Sequence, residues 1–312
     1  MRLPLQGGLP PAGTVDGAVL QIACDESGFS GSNLFRSATP VITHASVDLG
    51  VEEAAGLIAA LGPASLTEFK SGQFLRGPSA GGLEPFLAAL AGRAHVHLVD
   101  KEFFLVTRIV DLFLAEPSYA AGTRLTAAQR PAARTLYRAR GEDGWDAFLA
   151  AFVELVRVKR RRQPDRRALD RFFRARDALA LDPAAGGILA ALDPARAWDV
   201  LSRLAGGDGS IPPPLEPMLP ALAETVLFWS GGRRPVLVIH DEQSALTPGR
   251  LRRLQQVLAD GTVSPLAGLV AVDSRDDPRV QVADLLAGVA RRLPAAGPLA
   301  PFLSPTSLRD GD

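Results

Sequence analysis

Short aliphatic runs near both ends of the chain bracket a long middle in which apolar residues recur at helical spacing. AVLQIACD (18–25) is an aliphatic run closed by the turn-forming ESGFSGSN, and it predicts a strand. A second strand is predicted in TPVITHASVDL (39–49). After Gly50, VEEAAGLIAALG reads as a short helix ended by Gly62. The loop PASLTEFKSGQFLRGPSAGG carries Glu68 and Lys70, and LEPFLAALAGR predicts another short helix. AHVHLVDK (94–101) alternates histidines with apolar residues and reads as a strand ending at Asp100 and Lys101.

From residue 102 to about 230 the period changes. Trp145, Phe148, Leu149, Phe152, Leu155 and Val156 fall on one stripe of a helix spanning GWDAFLAAFVELVRVKRRR. RRALDRFFRARDALAL and ARAWDVLSRLAG predict two more helices, and GGDGSIPPPLEPMLP reads as a semi-rigid, proline-rich linker. RRPVLVIHDEQ then resumes the strand pattern. Its consecutive aliphatic residues suit a strand buried on both faces, ending at His240, Asp241 and Glu242. Thr247 and Pro248 open a helix closed by Gly261, PLAGLVAVDS predicts an edge strand, and DPRVQVADLLAGVARRL predicts the last helix.

This order divides the chain into a tail (1–16), an α/β core in two parts (17–101 and 232–293) separated by a helical insertion with its linker (102–231), and a second tail (294–312). A length of 312 residues agrees with a core carrying a large insertion or with two domains. The formal net charge is zero, so no global field draws the chain to an acidic partner. A single cysteine excludes an internal disulfide framework. No stretch approaches the roughly 18 to 20 unbroken apolar residues of a membrane span. The opening MRLPLQGGLPPAGTVDG has too many prolines and glycines for a secretory leader, so the expectation is a cytoplasmic protein without a membrane partner.

Three acidic residues share a placement. Asp25 ends the first strand, Asp241 ends a later one, and Asp284 sits in the last helix on a face of small residues with Gln281, Ala287 and Gly288. Residues at the carboxyl ends of neighbouring strands converge on the crevice where open α/β sheets bind ligands. Carboxylates gathered at one point suit hard divalent cations, so the expected cofactor is Mg²⁺ or Mn²⁺. Two such ions would clamp the attacking and leaving oxygens of a phosphodiester.

DESG at the first strand end, EFK, VDK, VIHDEQ, and DS followed by VQVADLLAG occur in one order between residue 18 and about 292. In this the chain resembles the bacterial family called domain of unknown function 3800, which is grouped with RNase H-like, integrase-like nucleases. The resemblance implies an α/β fold with an RNase H-like mixed sheet flanked by helices, and a metal-dependent nuclease site. It implies Asp25, Asp241 and Asp284 as metal ligands and Glu68 as the fourth carboxylate. Glu68 falls in a loop where an RNase H site uses a helix, which leaves Glu26, Asp100 and Glu242 as alternatives. Glu26 points away from Asp25 if the strand runs unbent, and is read with Glu242 as a supporting group beside the site.

Of the 34 basic residues 31 are arginine, so the three lysines are unusual choices. Lys70 and Lys101 are positioned in sequence to stabilise charge on a scissile phosphate, or else to pair with Glu68 and Glu102. Residues 157–176 carry a net charge of +8. Arg157, Lys159, Arg160, Arg161, Arg162, Arg166 and Arg167 read as backbone contacts to DNA or RNA, or as a solvated face whose Phe172 and Phe173 pack inward. His95 and His97 share a strand face without a third metal ligand, so structural roles are expected for both, while His240 adjoins Asp241 as a supporting group or proton shuttle, or faces away from it if the strand is regular. Ser27 lacks a nucleophile elbow and reads with Gly28 as a turn, and Cys24 reads as a small core residue. Two functions compete: a metal-dependent nuclease, and a nucleic-acid-binding accessory of the same fold that does not cut. A metal-free carboxylate hydrolase is a third reading, against which the 6% aromatic content counts.

Overall fold

A computed structural model describes residues 7–11, 19–29, 31, 33–61, 75, 82–157, 163–179, 183–259, 261, 263–293 and 297–310. The chain divides into two compact units. The first takes Met1–Phe29, Val41–Leu98 and Ala221–Ser307, and the second Ser30–Pro40, Val99–Pro220 and Leu308–Asp312.

The first unit is mixed α/β. Its strands are β1 (Leu20–Ser27), β2 (Val41–Val47), β3 (Ala94–Asp100), β4 (Val236–Asp241) and β5 (Leu266–Val272). They form one sheet in the order β3-β2-β1-β4-β5. β1 runs antiparallel to β2, with Asp25 opposite Ala45 and Glu26 opposite His44, and parallel to β4, with Cys24 opposite His240. β4 and β5 are parallel. β1 thus sits centrally, and the carboxyl ends of β1 and β4 lie side by side. β5 occupies the sheet edge, as PLAGLVAVDS predicts.

Alternation fixes what each face buries. Ala23, Ala45, Val47, Val96, Leu98, Leu237 and Ile239 pack with Val282, Leu285, Leu286 and Val289 of a long helix, Pro278–Arg292. Thr43 Oγ1 donates to the carbonyl of Ala287 in that helix at 2.7 Å, a close approach that its small residues Ala283, Ala287 and Gly288 permit. Helices Val51–Leu61 and Leu83–Ala89 border the same core. On the opposite face lie His44, Ser46, His95 and His240 against a helix at Met218–Ser230. Its Thr225 meets His44, its Trp229 donates to Ser46 at 2.8 Å, and its Phe228 stacks on His95. Helix Pro248–Ala259 follows β4.

The second unit is helical: Lys101–Phe113, Arg130–Tyr137, Trp145–Val156, Arg166–Asp177, Pro183–Ala190 and Pro194–Ala205, with a short 3₁₀ stretch at Arg124–Gln129. Phe113, Phe148, Phe152 and Phe172 meet there as an aromatic core with ring centroids 5.2–6.1 Å apart. Asp100, Asp165 and Asp193 cap three of these helices, each accepting from two backbone amides of the first turn.

Two sequence expectations are corrected. Residues 211–220 are not a linker: Ile211, Leu215, Met218 and Leu219 are buried, and a helix begins at Met218. Pro220 sits in its first turn, where no amide donor is lost. Nor are the described parts of the two ends loose. Leu9 bridges Leu269, Leu303 bridges Val96, Leu308 bridges Val99, and Leu299, Phe302 and Leu308 are buried. Aliphatic residues among the prolines give these segments apolar area to bury. Among the described residues no helix is long and apolar enough to cross a membrane.

Candidate functional site

Asp25 projects from β1 onto the face that the Pro278–Arg292 helix covers, and strand parity puts Asp241 of β4 on that face too. Asp25 is 6% exposed. Burial pushes its carboxyl well above the ordinary range, and the charges of Glu26, Asp284 and Asp241 push it further; the Glu26 backbone N–H, donating to Oδ1 at 2.7 Å, works against them. The three aspartates singled out from the sequence therefore share one field.

Glu26 belongs to the same group. Burial and then the charge of Asp241 raise its carboxyl to about 7, while the hydrogen bond from Gln243 opposes the rise. The Gln243 amide Nε2 donates to Glu26 Oε1. Glu26 Oε2 is buried and has no hydrogen-bond partner among the described residues. An unbent strand would have turned this side chain away from Asp25. Glu26 keeps its register opposite His44 at the next-to-last position of β1, two residues before Gly28 turns the chain at a φ of 90°, and its carboxyl reaches the group from the strand end. A Cβ at Gly28 would lie 2.5 Å from the Val41 carbonyl oxygen, so this turn requires glycine.

Asp241 is held at two points. Its Oδ1 accepts from the Ser274 N–H at 3.0 Å, and its backbone carbonyl accepts from His240 Nδ1 at 2.8 Å. Arg291, two turns beyond Asp284 on the same helix, donates from Nε to Ser27 Oγ at 2.9 Å, which ties the helix to the turn after Asp25.

The other sequence candidates have surroundings of their own. Lys101 begins a helix of the second unit, is buried, and donates from Nζ to Ser37 Oγ at 2.9 Å and Thr39 Oγ1 at 3.1 Å. Of the two sequence readings, phosphate stabilisation or pairing with Glu102, these contacts show neither; the ammonium meets two hydroxyls of its own unit. Asp100 caps the same helix, and Glu242 is exposed, with Gln243 in the buried position beside Glu26. Glu68 and Lys70 lie outside the described residues, as do Lys159, Arg160, Arg161 and Arg162. Arg157, Arg166 and Arg167 are exposed, and Arg166 also lies over the Trp198 ring at 4.7 Å. Phe172 and Phe173 pack inward.

Gln243 and Ser274 escaped sequence reasoning. HDEQ and VDS contain them, but nothing in either string marks an amide or a backbone N–H as support for a carboxylate.

Four carboxylates, Asp25, Glu26, Asp241 and Asp284, are hard oxygen donors of the kind a divalent cation takes. Among the described residues no group of three or more His, Cys, Asp or Glu side chains is so placed that it could hold a metal ion. Comparison with protein-family models, with curated proteins and with solved structures finds no match to this chain.

Proposed function

We propose that the chain is a divalent-metal-dependent phosphodiester hydrolase acting on nucleic acid, with an RNase H-like core in its first unit. One observation carries the reading: at the end of β1, Asp25 meets the charges of Glu26, Asp284 of the covering helix and Asp241 of the adjacent strand, Glu26 meets that of Asp241, and the carboxyls of Asp25 and Glu26 are raised. Like charges so placed need either protons or a cation. The central first strand, antiparallel to β2 and parallel to β4, supports the RNase H-like reading, as does the motif order that resembles that group.

Asp25, Asp241 and Asp284 would hold the cation, with Glu26 as the fourth carboxylate. Bound there, Mg²⁺ or Mn²⁺ supplies a Lewis acid and a water of lowered pKa for attack on phosphorus. The protein's part is to present the oxygens. The Ser274 N–H orients the Asp241 carboxylate, Gln243 orients Glu26, and the small-residue face carries Asp284 close to the sheet. Arg157, Arg166 and Arg167 supply contacts to the nucleic-acid backbone.

The test is cleavage of short single-stranded DNA, RNA and hybrid duplexes with Mg²⁺, with Mn²⁺ or with EDTA. Metal-dependent cleavage that Asp25→Asn abolishes supports the reading, and cleavage that persists in EDTA overturns it. A second reading, an accessory that binds nucleic acid without cutting, agrees with there being no group among the described residues that could hold a metal ion. Salt-sensitive binding, unchanged by Asp25→Asn and never followed by cleavage, would establish it.

A further inference from the structure

All four histidines of the chain are buried in the first unit: His44 on β2, His95 and His97 on β3, and His240 on β4. Two of them meet ring to ring. His44 Nε2 lies 3.1 Å from His240 Nε2, with ring centroids 5.3 Å apart. At the outer ends, His44 Nδ1 lies 3.0 Å from Thr225 Oγ1 and His240 Nδ1 lies 2.8 Å from the Asp241 carbonyl oxygen.

Those contacts allow one arrangement of protons for neutral rings. A carbonyl oxygen only accepts, so His240 Nδ1 carries hydrogen and His240 Nε2 is bare. Two bare nitrogens at 3.1 Å would repel, so His44 Nε2 carries hydrogen and donates. His44 Nδ1 is then bare and accepts from the Thr225 hydroxyl. Both rings are fully buried, which disfavours a charged imidazole, so both are taken as neutral.

We propose that Thr225, His44 and His240 form a one-directional hydrogen-bond relay that positions Asp241, making these three buried side chains positioning residues for the carboxylate site. The relay starts on the helix at Met218–Ser230, crosses β2 and β4 on the sheet face opposite the carboxylates, and ends on the backbone of the residue whose carboxylate faces them. Withdrawing the His240 donor removes one hydrogen bond from the Asp241 carbonyl and loosens the end of β4. The consequence for cation binding rests on the function proposed above; the tautomers and the fixing of Asp241 do not.

The experiment uses the full chain labelled with ¹⁵N-histidine at pH 7.5. Long-range ¹H–¹⁵N spectra are expected to show His44 with hydrogen on Nε2 and His240 with hydrogen on Nδ1, and either ring in the other tautomer overturns the relay. Thr225→Val removes the donor to His44 and is expected to give His44 a mixture of tautomers; an unchanged spectrum counts against the relay. Exchange of the Ser274 amide, which donates to the Asp241 carboxylate, reads the position of that residue. His240→Leu is expected to speed this exchange and weaken Mn²⁺ binding by roughly ten-fold. His240→Asn, whose amide nitrogen replaces Nδ1, is expected to restore both. Equal exchange in all three proteins overturns the positioning role. Absence of Mn²⁺ binding in the unsubstituted protein would overturn the cation reading alone, because the tautomers and the Ser274 exchange still decide the relay.

Discussion

Gln243 donates its side-chain amide to Glu26 Oε1 across the adjacent ends of β4 and β1, while Glu26 Oε2 stays buried without a hydrogen-bond partner among the described residues. The amide fixes one oxygen and leaves the other directed by it. Gln243→Leu should therefore weaken Mn²⁺ binding by roughly ten- to a hundredfold, the usual effect of losing a group that orients a ligand. Gln243→Glu should do at least as much, since it adds a negative charge where a donor stood. Isothermal titration of Mn²⁺ into the three proteins at pH 7.5 measures this, and equal affinities would show that Glu26 is not a ligand.

The raised carboxyls make stability depend on pH in a stated direction. Glu26 titrates at about 4.5 when exposed and at about 7 in the fold, so its neutral form is favoured by folding. That contribution is fully present below about pH 4.5 and is lost as pH rises through 7. It amounts to on the order of 3 kcal/mol at about 1.4 kcal/mol per unit. Asp25 acts with the same sign. His240, lowered to about 4, acts oppositely: its contribution is present above 6.5 and lost as pH falls through 4. Urea unfolding without metal should show stability falling from pH 5 to pH 8, and Glu26→Gln should flatten that fall. Millimolar Mn²⁺ should raise stability more at pH 8 than at pH 5, when ionised oxygens are available. A metal effect equal at both values would count against a carboxylate site.

Exposed Arg157, Arg166 and Arg167 give a separate prediction about the partner. If each neutralises one phosphate of duplex DNA, replacing all three with serine lowers the slope of log K against log salt by about 2.7. Asp25→Asn should leave that slope unchanged. Fluorescence anisotropy at several salt concentrations gives both slopes, and an unaltered slope in the triple variant would assign these arginines to ordinary surface solvation.

The elements were legible because their periods were clean. β1 with its turn residues, the stripe through Trp145 and Phe152, and the final helix with Asp284 all follow from spacing. The helix at Met218–Ser230 was hidden because PPPLEPMLP reads as punctuation, although its own Pro220 is harmless in a first turn. Asp25, Asp241 and Asp284 stood out since each interrupts an apolar pattern. Glu26 was set aside by strand alternation, which its register obeys, but alternation does not tell that a carboxyl at a strand end meets Gln243 and the charge of Asp241. Lys101 drew attention by rarity, but composition says nothing about the two hydroxyls that occupy it. Contacts such as Gln243 to Glu26, separated by 217 positions, depend on strand order and leave no mark in local sequence.

Arg108 and Asp111 pair at 3.2 Å in the helix Lys101–Phe113, both 3% exposed. Burial raises the Asp111 carboxyl to about 6 even beside a guanidinium, so burial outweighs the pairing. Arg108 Nε and Nη2 have no hydrogen-bond partner among the described residues. Asymmetric losses follow from this geometry. Asp111→Asn strands a buried cation and should cost about 3 to 5 kcal/mol. The double change Arg108→Met with Asp111→Leu removes both charges at similar volume and should recover most of that loss. Denaturant unfolding of the wild type, the single variant and the double variant tests this. A double variant no more stable than Asp111→Asn would show that the pair contributes net stability through its attraction, whereas recovery would show that each charge is there chiefly to cancel the other.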